Sequence, residues 1–115
     1  MNINLIEKLK ENKVLPIIRS GNKQDVIDTV RALVDGGLDM MEVNVENTDV
    51  FRAIEEISSE AIICAGGIIT SIQAKAAMDA GAKVISSPIF VPSPLITLHP
   101  SALAIIKPPK NKIIK

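Results

Sequence analysis

Three polar side chains share one face of an otherwise apolar segment in the first half of the chain. Residues 40–46, Met-Met-Glu-Val-Asn-Val-Glu, have the aliphatic content of a strand, and side chains alternate between the two faces of a strand. Glu42, Asn44 and Glu46 therefore lie opposite the aliphatic residues. A carboxylate held at a fixed position by a strand is a candidate general acid or base, because proton transfer needs a positioned group.

Two explanations of this polar face are open at the level of the sequence. In the first, the segment is an edge strand with one side in water, which accommodates polar residues. In the second, Glu42 points into the inside of a barrel, where its charge is met by Arg19 near the preceding strand or by a ligand. The second explanation makes Glu42 a proton-transferring residue.

Loops that follow predicted strands supply further candidate residues. These loops are Arg19-Ser20-Gly21, Ala65-Gly66-Gly67 and Ser86-Ser87-Pro88. Ligands bind at the carboxyl ends of the strands in both open parallel sheets and barrels. Gly66 and Gly67 would let backbone N–H groups approach an anion just before a helix, although an ordinary tight turn is the simpler explanation of a Gly-Gly pair.

The elements that must position these residues alternate regularly between strand and helix. Strands are predicted over 14–19, 40–46, 61–65 and 83–87, with a helix after each of the first three and another over 4–10. Helix N-caps are predicted at Asn22, Thr48 and Thr70, and helix ends at Gly36-Gly37 and Gly81. Such alternation indicates an α/β fold with parallel strands. Both an open doubly wound sheet and part of a (β/α)₈ barrel fit the pattern.

Composition excludes several classes of function. The chain is 47% hydrophobic and 23% charged, with zero formal net charge, two Phe and no Tyr or Trp. Nucleic-acid modules need aromatic platforms or basic surfaces, so we expect no nucleic-acid partner and no membrane partner. The single cysteine, Cys64, excludes an internal disulfide and a multi-cysteine metal site. With no signal-peptide pattern and no long apolar run, we expect a cytoplasmic protein.

Residues 91–115 differ in composition from the rest of the chain. All thirteen acidic residues and nine of the thirteen basic residues fall in residues 1–90, whereas residues 91–115 hold four lysines, no acid and five of the seven prolines. Frequent proline interrupts helices and central strands. We therefore expect one regular β-α domain over 1–90 and an irregular tail, rich in proline and lysine, over 91–115.

Short motifs in register give the chain a recognisable family resemblance. They are Val14-Leu15-Pro16-Ile17-Ile18-Arg19, Ala32-Leu33-Val34-Asp35-Gly36-Gly37, Met41-Glu42-Val43-Asn44-Val45, Cys64-Ala65-Gly66-Gly67-Ile68, Ala80-Gly81-Ala82 and Ile85-Ser86-Ser87-Pro88. Over about residues 5–90 the chain resembles the 2-keto-3-deoxy-6-phosphogluconate (KDPG) and 4-hydroxy-2-oxoglutarate aldolase family. The resemblance implies a class I aldolase on a TIM (β/α)₈ barrel, of which residues 1–90 would form the first half, with about four strands.

The resemblance also implies a chemistry and a set of site residues. Members of this family are homotrimeric lyases that release pyruvate from a keto-acid or phosphorylated sugar acid. They use no metal or other cofactor, because a lysine forms a Schiff base with the keto group and a glutamate moves the protons. Glu42 matches that glutamate. The substrate-binding positions matched by the resemblance are Arg19, Gly66, Gly67, Ser87 and Pro88.

Departures from the family pattern indicate a catalytically incomplete chain. Gly67 stands where the family has a threonine that holds the pyruvate carboxylate, and Glu46 stands where an arginine is often found. The Schiff-base lysine of the family lies on a sixth strand, and we predict no strand after the fourth; Lys107 lacks the right context. A truncated or frameshifted product would have these features. The alternatives are a non-catalytic half-barrel that assembles with another chain and an anion-binding module that uses Gly66-Gly67.

Overall fold

Short parallel strands alternate with helices along most of the chain. The computed structural model describes residues 3–11, 14–87 and 103–106. Its elements are α1 (Ile3–Glu11), β1 (Ile17–Ile18), α2 (Lys23–Asp35), β2 (Met40–Asn44), α3 (Thr48–Ile57), β3 (Ile62–Gly66), α4 (Ser71–Ala80), β4 (Val84–Ser87) and β5 (Leu103–Ile106). Within these described ranges, no helix is long and apolar enough to cross a membrane. The predicted α/β alternation is confirmed.

The strand order distinguishes between the two architectures that the sequence left open. The five strands pair in the order β1-β2-β3-β4-β5, and every pair is parallel. In a doubly wound sheet the order in which successive strands are added reverses once, which places helices on both faces. When every strand is added on the same side of the previous one, right-handed crossovers place all the crossover helices on one face. The sheet is therefore an arc of the (β/α)₈ type, which confirms the predicted barrel half.

The two faces of the sheet have different coverings. The outer face carries the aliphatic residues of β2, β3 and β4 and packs against α2, α3 and α4, whose fully buried side chains include Val26, Ile27, Val30, Val50, Ile54, Ile57, Ala74 and Ala77. The inner face holds a smaller cluster of Met40, Cys64 and Val84, on which Leu5 of α1 packs. The main core lies outside the arc, and α1 covers part of its inside.

The central position of β2 explains why its polar face matters. β2 lies between β1 and β3, so the explanation of this segment as an edge strand is wrong. Met41 and Val43 are buried in the outer core, and the alternation of side chains directs Glu42 and Asn44 to the inner face. The predicted division of the segment into an aliphatic and a polar face is confirmed.

β1 is shorter than the predicted strand over 14–19. Pro16 has no N–H to donate to a ladder, so regular pairing begins one residue later at Ile17. The carbonyl oxygen of Pro16 still accepts a hydrogen bond from the Glu42 N–H at 2.8 Å. This contact joins the segment before β1 to the centre of β2.

A fifth strand lies inside the segment that we expected to be irregular. β5 pairs in parallel with β4, with Val84 opposite Leu103 and Ser87 opposite Ile106. The physical reason is local: the aliphatic run Leu103-Ala104-Ile105-Ile106 contains no proline and lies between Pro100 and Pro108. The expectation of no strand after the fourth is corrected accordingly. The boundary between the two regions at residue 90 stays a prediction.

Helix caps follow the predictions with one exception. The Asn22 side chain accepts a hydrogen bond from the Asp25 N–H, Thr70 forms a capping box with Gln73, and Gly81 ends α4 at φ +114°. The exception is α3, where Thr48 is the first helical residue rather than the cap. The cap is Asn47, whose Oδ1 accepts from the Asp49 N–H at 2.9 Å.

The corrected cap predicts a difference in stability between two adjacent substitutions. Asn47→Ala is expected to lower the free energy of unfolding by about 1–2 kcal/mol, because it removes the cap. It also removes the hydrogen bond that Asn47 Nδ2 donates to the Gly21 carbonyl at 3.0 Å. Thr48→Ala, the matched control, should change it by no more than about 0.5 kcal/mol. Urea denaturation measures both, and equal losses would contradict the assignment of Asn47 as the cap.

A bidentate ion pair joins α2 to the end of the next β-α unit. Arg31 donates from Nε to Glu60 Oε1 at 3.1 Å and from Nη2 to Glu60 Oε2 at 3.2 Å. The hydrogen bond from Arg31, together with its charge, lowers the pKa of the Glu60 carboxyl below its ordinary value of 4.5. Both side chains are exposed to solvent, so the pair contributes modestly to stability.

The lowered pKa of Glu60 predicts a pH-dependent contribution to stability. A carboxyl whose pKa is depressed on folding stabilises the protein above its unfolded pKa and loses that contribution as pH falls through the folded pKa. Glu60→Gln should therefore be less stable than the unchanged chain near about pH 7, and the difference should vanish towards about pH 3. Thermal unfolding across this range measures it, with Glu55→Gln on the exposed face of α3 as control. A difference that persists at the acid end would contradict the prediction.

Candidate active site

Glu42 is a buried carboxylate at the centre of the inner face. Only 3% of its surface is exposed. The strand register places it between Ile17 of β1 and Cys64 of β3. Its Oε1 accepts a hydrogen bond from the Cys64 thiol, with an Sγ–Oε1 distance of 3.6 Å. Burial and a defined partner hold the carboxylate in one place, as a proton-transferring group requires.

The absence of a side chain at Gly66 leaves room for the second oxygen of this carboxylate, Oε2. A Cβ built on Gly66 would overlap Glu42 Oε2, and would lie 2.7 Å from Cδ and 2.9 Å from Cγ. Gly66 is two residues beyond Cys64, on the same face of β3 and nearer the carboxyl end of the strand. Cys64 of β3 therefore contacts Oε1, and the missing side chain of Gly66 leaves the space in which Oε2 lies.

Asn44 of β2 and Gly67 form a second pair of this kind, closer to the loops, in which a polar side chain lies where a glycine has no side chain. Gly67 adopts φ +72°, where side chains are strained, and a Cβ there would lie 2.7 Å from Asn44 Oδ1. The Asn44 amide Nδ2 donates to Glu46 Oε1 at 3.4 Å. The rim of the site at β2 and β3 is thus formed by an amide and an exposed carboxylate.

Arg19 lies directly after β1 and forms no direct ion pair with Glu42 among the described side chains. The side chain of Arg19 is exposed, directly after β1. The ion pairs formed within the described part of the chain do not join it to Glu42. The Cys64 thiol does contact that carboxylate, but a neutral thiol does not balance its charge. A contact between Arg19 and a ligand stays a prediction.

The two serines at the end of β4 are directed to opposite faces of the sheet. Val84 packs in the inner cluster and Ile85 in the outer core, so alternation directs Ser86 to the inner face and Ser87 to the helix-covered face. Both serines are buried, with exposed fractions of 1% and 2%. Pro88, the other predicted site residue, lies outside the described residues. Ser86 was named in the candidate loop but not among the substrate-binding positions, although its spacing from Val84 indicated the inner face.

The backbone donors that directly follow Gly66 and Gly67 form hydrogen bonds within the protein. The N–H of Ile68 donates to the Ser86 carbonyl at 3.1 Å, and those of Ile69 and Thr70 donate to Gln73 Oε1 at 3.0 and 3.2 Å. These three donors already have partners inside the protein. The arrangement resembles an ordinary capped helix start more than an anion cradle.

Lysine side chains are placed away from Glu42 in the part of the chain whose side chains are described. Three form surface ion pairs: Lys8 with Asp39, Lys23 with Glu56, and Lys75 with Asp79. Lys83 is exposed and precedes β4, at the end of the sheet opposite the loops. Lys107 lies outside the described residues. Lys10 of α1 is exposed as well. We therefore expect the nucleophilic lysine to be none of these five described lysines.

Comparison with known proteins gives a consistent family match. A family model described as KDPG and KHG aldolase matches residues 5–107. The 2-dehydro-3-deoxy-phosphogluconate aldolase of Treponema pallidum (strain Nichols) is 31% identical over 93 residues, and that of Haemophilus influenzae (strain ATCC 51907 / DSM 11121 / KW20 / Rd) is 29% identical over 87 residues. These matches cover 78% and 73% of this chain.

A solved structure shows the same relationship in three dimensions. The KDPG aldolase of Legionella pneumophila, with pyruvate captured at low pH as a covalent carbinolamine intermediate, superposes with a TM-score of 0.69 at 26% identity. The match covers 80% of this chain and 47% of that one. The chain also spans only 44% of the Treponema pallidum relative and 41% of the Haemophilus influenzae relative.

Proposed function

Because this chain belongs to the KDPG and KHG aldolase family, we propose that it supplies the proton-transferring glutamate, Glu42, to a site that cleaves a carbon–carbon bond and releases pyruvate. The observation that carries the proposal is the buried Glu42 carboxylate on the inner face of a central strand, held by two positions of β3. The substrate would be a 2-keto-3-deoxy acid, either phosphorylated or, like 4-hydroxy-2-oxoglutarate, unphosphorylated.

The proposed reaction assigns each proton to a group. A lysine amine attacks the keto carbon, water leaves, and a protonated imine forms. Glu42 takes the proton of the hydroxyl group on the carbon beyond the scissile bond. That bond breaks, an aldehyde leaves, and the electron pair moves through the remaining carbon to the imine nitrogen as an enamine. Glu42 then returns the proton to the enamine carbon, and hydrolysis of the imine releases pyruvate.

The remaining site residues have proposed roles in substrate binding. Arg19 at the rim would pair with an anionic group of the substrate. Gly66, Gly67, Pro88 and the backbone of Ser87 would line the carboxyl end of the sheet, because the Ser87 side chain faces the helices. The lysine nucleophile would come from outside the described residues, either from this chain or from another polypeptide. As in its family, we propose a homotrimeric assembly, and no metal or other cofactor takes part in the proposed mechanism.

A chimera tests whether this sequence can build its share of an aldolase site. Residues 5–107 would replace the corresponding segment of the Legionella pneumophila KDPG aldolase, which then supplies the rest of the barrel. We expect cleavage of KDPG, measured as pyruvate release in a coupled assay, with the parent enzyme as the positive control. A folded chimera that releases no pyruvate would contradict the proposal.

Trapping experiments on the isolated chain test which lysine, if any, acts as the nucleophile. Incubation with pyruvate and borohydride, followed by intact mass measurement and digestion, reports any lysine that forms a Schiff base. We expect no adduct on Lys8, Lys10, Lys23, Lys75 or Lys83. The first, third and fourth of these form surface ion pairs, and Lys10 and Lys83 are exposed. An adduct on one of these positions would contradict the proposed origin of the nucleophile.

An alternative function, non-catalytic assembly with a chain that extends the arc, is favoured by the edges of the sheet. Among the described strands, β1 and β5 each pair on one side only. Val14, before β1, and Ile17, within β1, are 62% and 44% exposed, and an exposed edge strand is a template for pairing with another chain. Sedimentation would distinguish the alternatives: a stable monomer that gains no partner argues against assembly, whereas an oligomer without lyase activity in the chimera favours it.

A further inference from the structure

The thiol of Cys64 donates a hydrogen bond to the Glu42 carboxylate on the inner face of the sheet. The two residues are directly opposite each other in the β2–β3 register, and the Sγ–Oε1 distance is 3.6 Å. A thiol is a weak donor to neutral groups, but a hydrogen bond to an ionised acceptor is roughly twice as strong as one between neutral groups. Because an ionised carboxylate can only accept hydrogen bonds, Cys64 is the donor and Glu42 the acceptor.

The surroundings of this pair favour a strong and directional contact. Cys64 is 1% exposed and packs with Met40, Val84 and Leu5, so the thiol is enclosed by apolar groups. In such surroundings a hydrogen bond is less screened than in water. The same burial makes Cys64 inaccessible to outside reagents, so its contribution must act through Glu42 rather than through its own reactivity.

Cys64 and Gly66 together distinguish the two oxygens of the carboxylate. Oε1 accepts the hydrogen bond of the thiol. Oε2 lies in the space beside Gly66, which is two residues closer than Cys64 to the carboxyl end of β3. Ligands of parallel β-α arcs bind at that end. The thiol therefore orients the carboxylate so that Oε2 is the oxygen closer to a substrate.

We propose that Cys64 is a positioning residue, whose thiol hydrogen bond to Glu42 Oε1 directs Oε2 towards the substrate. The inference rests on the proposed proton-transferring role of Glu42 and adds the group that orients it. Cys64 keeps its proton throughout, because the proton of the substrate hydroxyl passes to Oε2 and back to carbon. No oxidant or metal is required.

Infrared spectroscopy of the full chain tests the hydrogen bond without any assay of catalysis. The chain has a single cysteine, so it has one S–H stretching band, in a spectral region that other protein groups leave clear. We expect Glu42→Gln to shift this band to higher wavenumber, because an amide oxygen is a weaker acceptor than a carboxylate. The exposed Glu55→Gln should leave the band unchanged.

A band that is the same in Glu42→Gln and in the unchanged chain would overturn the proposal. If Glu42→Gln does not fold, Glu42→Asp serves instead, since it withdraws the carboxylate by one methylene and should shift the band in the same direction. Circular dichroism confirms that each variant is folded. Because this test measures no lyase activity, its result stands even if the proposed function fails.

Kinetics in the chimera add a readout that general damage to the fold would not reproduce. Cys64→Ala is expected to lower kcat about tenfold and to leave KM unchanged. A tenfold change in rate corresponds to the loss of one hydrogen bond to a charged group. Cys64→Ser should retain more activity than Cys64→Ala, because its hydroxyl can still donate. Equal kcat values for Cys64→Ala and the unchanged chimera would overturn the positioning role even if the infrared band shifts.

Discussion

Glu42→Gln is expected to lower kcat of the chimera by about 100- to 10,000-fold, the range typical for loss of a general acid or base. Glutamine keeps the size of the side chain and can still accept the thiol hydrogen bond, so it removes the ability to carry a proton and little else. Imine formation between a lysine and pyruvate does not require Glu42 in the proposed reaction. Trapping of pyruvate by borohydride should therefore persist while cleavage is lost.

Two comparisons make this result specific to Glu42. Glu55→Gln removes an exposed carboxylate from α3, far from the inner face, and should leave kcat unchanged. Deuterium exchange into the methyl group of pyruvate, followed by proton NMR, isolates the proton-transfer step from cleavage and should fall in parallel with kcat in Glu42→Gln. Unchanged exchange in this variant would contradict the assignment of Glu42 as the proton carrier.

Gly66→Ala is expected to destabilise the full chain by about 1–3 kcal/mol, the usual cost of overpacking a buried position. The added methyl group would overlap the Glu42 side chain, so either the carboxylate or the backbone of β3 must move. In the chimera the same substitution should reduce kcat strongly, because the carboxylate no longer occupies its place. Urea denaturation and the coupled pyruvate assay measure the two effects.

A double-mutant cycle identifies the cause of that loss. If the clash is with Glu42, then Gly66→Ala should cost much less when Glu42→Ala has already emptied the space, and the two substitutions should show a coupling of about 0.5–3 kcal/mol. Gly36→Ala is the matched control, since a Cβ there would meet its nearest neighbours at 3.5 and 3.6 Å. Additive effects of Gly66→Ala and Glu42→Ala would contradict the proposed packing.

Much of the fold follows from local patterns in the sequence. The alternation of aliphatic and polar residues over 40–46 predicted the two faces of β2, and the Thr70–Gln73 spacing predicted a capping box that is present in detail. These features depend on neighbours within a few residues. Thr48 and Asn47 show the limit of such patterns, because both residue types can cap a helix and only the backbone selects between them.

The part of the site that the sequence did not predict depends on register between strands. From the sequence, Cys64 was assigned no role in the site, because nothing within its own strand reveals that Glu42 lies opposite. The same holds for Ser86 and Ser87, where a shift of one residue exchanges the face that each side chain occupies. β5 was missed for a different reason, since the prolines around it outweighed four aliphatic residues in a short window.

The order in which the strands pair has a consequence for how the chain comes apart. Each strand pairs only with its neighbours in sequence, and α2 contacts α3 as α3 contacts α4. Such nearest-neighbour arrangements behave like linear arrays of repeats, in which opening at one end leaves the other units with their own partners. We therefore expect amide hydrogen exchange to be slowest in β2 and β3 and to become faster outwards, so that the centre of the arc opens last.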